Sequence, residues 1–180
     1  MKLNHKSLLL GLLGLAVFIG SAGAHSDAFK PKFVDSLIPG YISLQEALAQ
    51  DNLDAAKAAA SELLRTTVHH GPKFSEFTVP ASRLAKASDL KTARAQFLEV
   101  SMEMQDLIDH VGTSNKVSLY EAHCPMAFGG KGASWLQDSQ QVNNPYYGSM
   151  MLRCGSIESQ VAGKPDGGAP GDAAHNHGNH

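Results

Sequence analysis

The sequence of 180 residues contains little cysteine and little charge. Its two cysteines are too few for a disulfide-dense miniprotein or a four-cysteine zinc site. Charged residues make up 18% of the chain and the formal net charge is -2, so we expect no basic surface for nucleic acid. The hydrophobic fraction of 43% is still enough for a packed core, which excludes wholesale disorder. Length and composition together predict one folded domain with appendages.

The sequence also lacks the short motifs that mark common catalytic and cofactor sites. It contains no Gly-x-Ser-x-Gly nucleophile motif, no Cys-x-x-Cys-His haem attachment, no His-Glu-x-x-His and no phosphate-binding loop. The sequence shows no clear pairing of a nucleophile with a general base, and no set of three metal ligands that would leave an open position. We therefore expect a protein that is not an enzyme and has no catalytic residue.

The first 24 residues have the pattern of a secretory signal peptide. Lys2 and Lys6 precede an apolar run over 8–19, and small residues follow up to Ala24. The run is about a dozen residues long, shorter than the 18 or more of a membrane-spanning helix. We expect cleavage after Ala24, no transmembrane span after cleavage, and a mature protein in the periplasm or secreted. Such a compartment permits disulfides.

The last segment, 163–180, contains no large apolar side chain, and its composition predicts a disordered tail. Its histidines, His175, His177 and His180, are suited to a labile metal site, and an ordinary soluble tail is the alternative.

Between these ends, after a flexible lead over 25–34, apolar spacing predicts a mainly α domain over 35–162. Ser43 and Glu46 have the spacing of a capping box, which predicts a helix start there. Asp51 and Asn52 interrupt the pattern and can cap a second helix. A stripe of apolar residues at steps of three and four over 90–111 predicts the longest helix, beginning at residue 88 or 89.

The remaining segments of the domain carry weaker signals. Residues 71–80 are predicted to form a connection, and 82–87 a further short helix. We expect the helices to form a small antiparallel bundle. Residues 117–157 are rich in Cys, Met and Gly and predict a compact C-terminal motif. Within it, 117–120 and 151–154 are candidate strands of a short β-hairpin.

Sulfur is concentrated in that C-terminal motif, which holds both cysteines and three of the six methionines. Thiolate and thioether are soft donors that favour Cu(I) and similar ions, and imidazole can join them. The pattern therefore predicts a site for a soft metal, with copper as the expected ion. The candidate ligands are His123, Cys124, Met126, Met150, Met151 and Cys154.

Two other interpretations of the same residues stay open. Cys124 and Cys154 can form a disulfide, which closes a loop of roughly 30 residues and stabilises the fold by about 3–4 kcal/mol on the chain-entropy estimate. The methionines can be ordinary core residues, which is their usual role. A disulfide sulfur is a poor metal ligand, so the first interpretation excludes thiolate ligation unless the two states alternate with redox conditions.

Several motifs together resemble the domain-of-unknown-function 3347 family. They lie at 123–127 (His-Cys-Pro-Met-Ala), 132–137, 144–148 (Asn-Pro-Tyr-Tyr-Gly) and 150–155, and a helical run over 41–56 is also similar. That family occurs as small exported bacterial proteins and as part of some heavy-metal efflux adaptor proteins. The resemblance implies a helical domain with a C-terminal sulfur motif, a role in heavy-metal handling, and an efflux component as partner. The alternative is a disulfide-stabilised structural or adaptor module that docks on an efflux or envelope partner.

Overall fold

The structure, a computed structural model, describes residues 29–114 and 117–162. The predicted signal peptide and the His-rich tail lie outside the described residues. Four long helices come first, and three strands follow after residue 117, with one four-residue helix, Ala127–Gly130, between the first two strands. The helices are α1 (Pro31–Ala49), α2 (Leu53–Thr67), α3 (Ser75–Ala85) and α4 (Leu90–Val111), and the strands are β1 (Leu119–Cys124), β2 (Ala133–Gln137) and β3 (Ser156–Ala162). The prediction of a mainly α protein is confirmed, with a small antiparallel sheet added to it.

Helix α1 begins earlier than the capping box indicated. Pro31 occupies the first turn, where a missing N–H costs nothing. Ser43 lies inside the helix, and its hydroxyl donates to the carbonyl of Pro39 at 2.9 Å. The predicted helix start at Ser43 is therefore wrong. The apolar side chains before it, Val34 and Leu37 among them, are buried and continue the helical spacing.

The starts of α2 and α4 are confirmed. The side chain of Asn52 accepts a hydrogen bond from the Ala55 N–H at 3.0 Å, and that of Asp89 accepts one from Thr92 N–H at 2.7 Å. Each satisfies a backbone donor that the first turn of a helix leaves without a partner. The middle of the apolar stripe on α4 faces the core, where its side chains Ala93, Phe97, Val100, Met104 and Leu107 are buried.

Helix α3 spans the second half of the predicted connection, 71–80, and most of the short helix predicted over 82–87. It runs from Ser75 through Pro80, although proline removes a helical hydrogen bond and usually ends a helix. Phe77, Ala81 and Leu84 lie at helical spacing and are fully buried. The burial of these side chains outweighs the local cost of the proline, so tertiary packing overrides the sequence signal.

The helices pack in chain order and share one core with the sheet. Helix α1 contacts α2, α2 contacts α3, and α3 contacts α4, while α1 and α4 both contact β2. The ring of Phe97 stacks on Tyr41 with centroids 5.5 Å apart and lies 5.7 Å from the ring of Tyr146, which follows β2. The hydrophobic core therefore extends without interruption from the helices to Trp135 in the sheet. No helix within 29–114 or 117–162 is long and apolar enough to cross a membrane.

The sheet has the order β2-β1-β3, and both pairings are antiparallel. Strand β1 overlaps the predicted strand at 117–120, but its partners are not residues 151–154. Those residues form a turn that closes with a hydrogen bond of 2.9 Å from the Cys154 N–H to the Met151 carbonyl. The predicted hairpin is thus wrong in its second strand. Strand β2 was not predicted from the sequence.

Two buried tyrosines bond the outer edge of β2. The hydroxyl of Tyr41 accepts from the Leu136 N–H at 3.0 Å, and the Tyr146 hydroxyl donates to the Ser134 carbonyl at 2.6 Å. Burial raises the pKa of both hydroxyls well above the usual value. The Leu136 N–H and the Ser134 carbonyl are therefore not available to pair with another strand at this edge. The helical part of the chain, through Tyr41, thereby fixes the position of the C-terminal sheet.

Replacing Tyr41 by phenylalanine should destabilise the protein by about 1–3 kcal/mol. The change leaves the buried Leu136 N–H and the Ser101 hydroxyl, 2.6 Å from Tyr41, without this partner. Urea denaturation measures the loss. Tyr120→Phe is the control, because it removes a tyrosine hydroxyl from the same sheet whose bond from Gln140 is longer, at 3.3 Å. An equal loss in both variants would contradict the role assigned to Tyr41.

Candidate cysteine and methionine site

The two cysteines lie next to each other. Cys124 ends β1, Cys154 precedes β3, and their sulfur atoms are 3.0 Å apart as free thiols. The antiparallel pairing of His123 with Ser156 causes this approach, because the chain that leaves His123 runs beside the chain that arrives at Ser156. Cys124 is fully buried, whereas Cys154 is partly exposed. The hydrogen bond with Cys124, followed by burial, raises the pKa of the Cys154 thiol.

Asn144 holds the turn that carries Cys154. Its side-chain N–H donates to the Cys154 carbonyl at 2.8 Å, and its backbone N–H donates to the Leu152 carbonyl at 2.8 Å. Its side-chain oxygen accepts from the backbone N–H groups of Tyr146 and Tyr147. Asn144 is fully buried, so all these bonds are protected from water. From the sequence, the Asn-Pro-Tyr-Tyr-Gly motif supported only the family resemblance, and the role of its asparagine in positioning Cys154 was missed.

The three candidate methionines are exposed. Met126 is 53% exposed, Met150 76% and Met151 37%, so none of them fills the core and that interpretation is wrong. The Tyr147 hydroxyl donates to the Met126 carbonyl at 2.7 Å. This bond joins the segment after β1 to the segment that carries Met150 and Met151. The three thioethers therefore lie on two chain segments. These segments contact each other through the bond from Tyr147 and through the two adjacent cysteines.

His123 lies apart from the cysteines. Side chains alternate along β1, so His123 and Cys124 point to opposite faces of the sheet. The imidazole Nδ1 is 3.0 Å from the Ser134 hydroxyl, and the ring packs against Gly132, where an added Cβ would lie 2.9 Å from it. Among the residues that the structure describes, no three His, Cys, Asp or Glu side chains form a group that could hold a metal ion. The structure thus groups the two cysteines, with the methionines on the adjoining segments, and leaves His123 outside.

The separation of the two sulfurs tests how a metal would fit. Two thiolates at about 2.3 Å from one tetrahedral ion lie about 3.8 Å apart. The observed 3.0 Å is shorter, so the pair must open by about 0.8 Å before both sulfurs bind one ion. A disulfide requires the opposite movement, since bonded sulfurs are about 2.05 Å apart. The present geometry lies between these two states.

A polar network fixes the segment that carries Met150 onto the helices. Asp51, in the turn between α1 and α2, accepts from the Ser149 N–H at 3.0 Å and from the Ser149 hydroxyl. Asp51 also forms an ion pair with Arg94 of α4, whose guanidinium donates to the Pro145 carbonyl at 2.8 Å. The hydrogen bond from Ser149, and then Arg94, lower the pKa of Asp51. The sequence predicted Asp51 only as a helix breaker and missed this network.

The lowered pKa of Asp51 predicts a loss of stability in acid. Its contribution is fully present above the unfolded-state pKa of about 3.9 and disappears as the pH falls through the lower folded-state value. Asp51→Asn should therefore be less stable than the wild type at pH 7 and should lose less stability on acidification below pH 4. Denaturant titrations at several pH values measure both effects. The exposed Asp138, replaced by Asn, is the control for removing a carboxylate. A wild-type acid dependence in Asp51→Asn would refute the role of this ion pair.

Comparison with known proteins gives one match. Residues 37–116 match the family model described as Protein of unknown function (DUF3347), which confirms the resemblance drawn from the sequence. The matched range covers most of α1 and all of α2, α3 and α4, and it ends before the segment that holds the cysteines. No curated protein and no solved structure matches the chain.

Proposed function

Because residues 37–116 belong to the DUF3347 family, we propose that this chain is a non-enzymatic protein of heavy-metal handling that binds or passes on soft metal ions, with copper as its cargo. The observation that carries the proposal is the pairing of two thiols 3.0 Å apart beside three exposed thioethers. Sulfur donors of both kinds favour Cu(I). In this proposal the helices form a small antiparallel bundle that serves as the scaffold.

The cysteine pair supplies the central donors in the reduced protein. A bound ion would separate the two sulfurs by about 0.8 Å. Met126, Met150 and Met151 lie within four residues of one cysteine or the other along the chain, and in this proposal their flexible side chains complete the coordination. His123 contributes indirectly, through its bond to Ser134 across the strands.

The setting of this function follows from the expected signal peptide and from the family resemblance. The mature protein would act in the periplasm or outside the cell, and its partner would be a heavy-metal efflux component. The tail histidines His175, His177 and His180 would form a second, weaker site. Copper delivered to the tail would then pass to sulfur ligands when it is in the Cu(I) state.

A second candidate function is a disulfide-stabilised adaptor module that docks on an efflux or envelope partner. The adjacency of the two thiols supports it, because a sulfur movement of about 1 Å closes the disulfide. In this case Cys124 and Cys154 are oxidised, and the exposed methionines belong to a docking surface. The two candidates differ in whether the thioethers bind metal.

Competition with a Cu(I) chelator, at neutral pH and without oxygen, distinguishes the two. The background protein carries His175→Ala, His177→Ala and His180→Ala, so that the tail does not contribute. In that background, replacing Met126, Met150 and Met151 by leucine should weaken Cu(I) binding at least about tenfold, since the swap nearly conserves volume and removes the thioethers. Met102→Leu is the matched control, because Met102 is also exposed, at 59%, but lies on α4.

One combination of results would overturn the proposed metal binding. Unchanged Cu(I) affinity in the triple methionine variant, together with a mass two hydrogens below that of the reduced protein, would assign the cysteines to a disulfide. The adaptor function would then replace the metal-binding one.

A further inference from the structure

We propose that Cys124 and Cys154 form a thiol–disulfide exchange site with a fixed order, in which an external disulfide reacts first with Cys154 and Cys124 then resolves the mixed disulfide. The proposed partner is a small or protein disulfide and its thiol form. The exchange itself follows from the geometry of the pair. Only its consequence for metal binding rests on the function proposed above.

The first observation is the unequal access to the two sulfurs. Cys124 has no exposed surface, and it lies on the same face of the sheet as Trp135, which is also fully buried. Cys154 is partly exposed in a turn whose neighbours Met151 and Arg153 are exposed. An incoming disulfide must approach the attacking sulfur along its own S–S axis, so it can reach only Cys154 without opening the core.

The second observation is the distance between the sulfurs. At 3.0 Å, Cys124 Sγ needs to move only about 1 Å to reach bonding distance from Cys154 Sγ. A thiol so close to the mixed disulfide resolves it before a second external thiol does, because the reaction is intramolecular.

The chemistry balances without a metal or cofactor. Cys154 sulfur attacks one sulfur of the external disulfide and loses its proton, and one external thiol leaves. Cys124 sulfur, losing its own proton, attacks Cys154 sulfur, and the second external thiol leaves. Two protein thiols have become one disulfide, and the external disulfide has become two thiols. Reduction is the reverse sequence, beginning with attack of an external thiol at Cys154.

Exchange would control the proposed metal site. A disulfide sulfur is a poor ligand, so oxidation removes both thiolate donors and leaves only thioethers for Cu(I). The reduced protein would hold the ion, and the oxidised protein would release it. Because Cys154 reacts first, control of metal binding depends on which disulfides and thiols can reach the turn that carries Cys154.

The test uses an aromatic disulfide that releases a coloured thiol, with the full chain in its folded state. Reduced wild type should release two equivalents of thiol and end two hydrogens lighter. Cys124→Ser should react through Cys154, release one equivalent and keep a stable mixed disulfide. Cys154→Ser should react at least about tenfold more slowly, since its remaining thiol is buried. Both single variants should react at similar rates in denaturant.

A second measurement does not depend on how the variants fold. Reduced wild type is treated with a limiting amount of an alkylating reagent and then digested, and the labelled peptides are identified by mass. Label found chiefly on Cys154 supports the order. Equal label on both cysteines, or a wild type that keeps the aromatic group as a stable mixed disulfide, would overturn it.

Cu(I) competition with the reduced and oxidised wild type separates the two proposals. Tight binding only in the reduced form supports redox control. If the reduced protein binds no Cu(I) but passes the exchange tests, the proposed metal function fails and the exchange site stands. If the oxidised protein binds Cu(I) as tightly as the reduced one, the control of metal binding by exchange is refuted.

Discussion

Replacing Phe97 by alanine should lower the free energy of unfolding by about 3–5 kcal/mol, the usual range for a buried phenylalanine. Phe97 has no exposed surface and lies in the middle of α4. Its ring contacts Tyr41 on one side and Tyr146 on the other, so the cavity would open where the helices meet the C-terminal segment. Denaturant unfolding monitored by the single tryptophan measures the loss.

The neighbouring residue supplies the control for this prediction. Leu98 is only partly buried and points to another face of the same helix, so Leu98→Ala should cost clearly less. A loss below about 1 kcal/mol for Phe97→Ala would contradict the packing of α4 on α1 and on residue 146.

Gly155→Ala should destabilise the protein by about 2–6 kcal/mol. Gly155 has a φ of +125°, which side-chain-bearing residues rarely adopt and which costs about 1–3 kcal/mol. An added Cβ would also lie 2.5 Å from the His123 carbonyl oxygen and 3.2 Å from the Trp135 ring, and such overpacking costs about 1–3 kcal/mol more. Because Gly155 follows Cys154, the change should also separate the two sulfurs and slow disulfide formation.

Gly129→Ala is the control that separates the backbone cost of a positive φ from the steric clash expected at Gly155. Gly129 has a positive φ of 72°, but no atom lies within 4 Å of an added Cβ. It should therefore show only the backbone cost, about 1–2 kcal/mol, and keep the wild-type rate of disulfide formation. Similar losses of stability in both variants would mean that the approach of Gly155 to β1 does not constrain the cysteine pair.

The helices were predictable where local signals and packing agree. Helix α4 has a capping aspartate at its start and an apolar stripe at regular spacing, so the sequence alone placed it correctly. Helix α3 was not predictable in this way, because its first part lies in the segment predicted to be a connection and contains Pro80. The burial of Phe77 and Leu84 against neighbouring helices stabilises it. Such packing depends on residues far away in the chain, which a local pattern does not contain.

The candidate site was predictable in part for a similar reason. The concentration of sulfur in one segment identified Cys124 and Cys154, and the fold brings them together through the pairing of β1 with β3. The adjacent His123 was included because it is next to Cys124 in the sequence, yet alternation along the strand turns it to the other face. The roles of Asn144 and Asp51 depend on long-range hydrogen bonds that no spacing in the sequence indicates.

The bond from Leu136 to Tyr41 makes the helices and the C-terminal sheet parts of one folding unit. The family match ends at residue 116, yet the hydroxyl of Tyr41, within the match, holds the edge strand that lies beyond it. A fragment that ended at residue 116 would leave the Tyr41 hydroxyl and the ring of Phe97 without the segment that packs on them. The smallest fragment that we expect to fold is therefore longer than the matched range, because it has to include β2 and Tyr146.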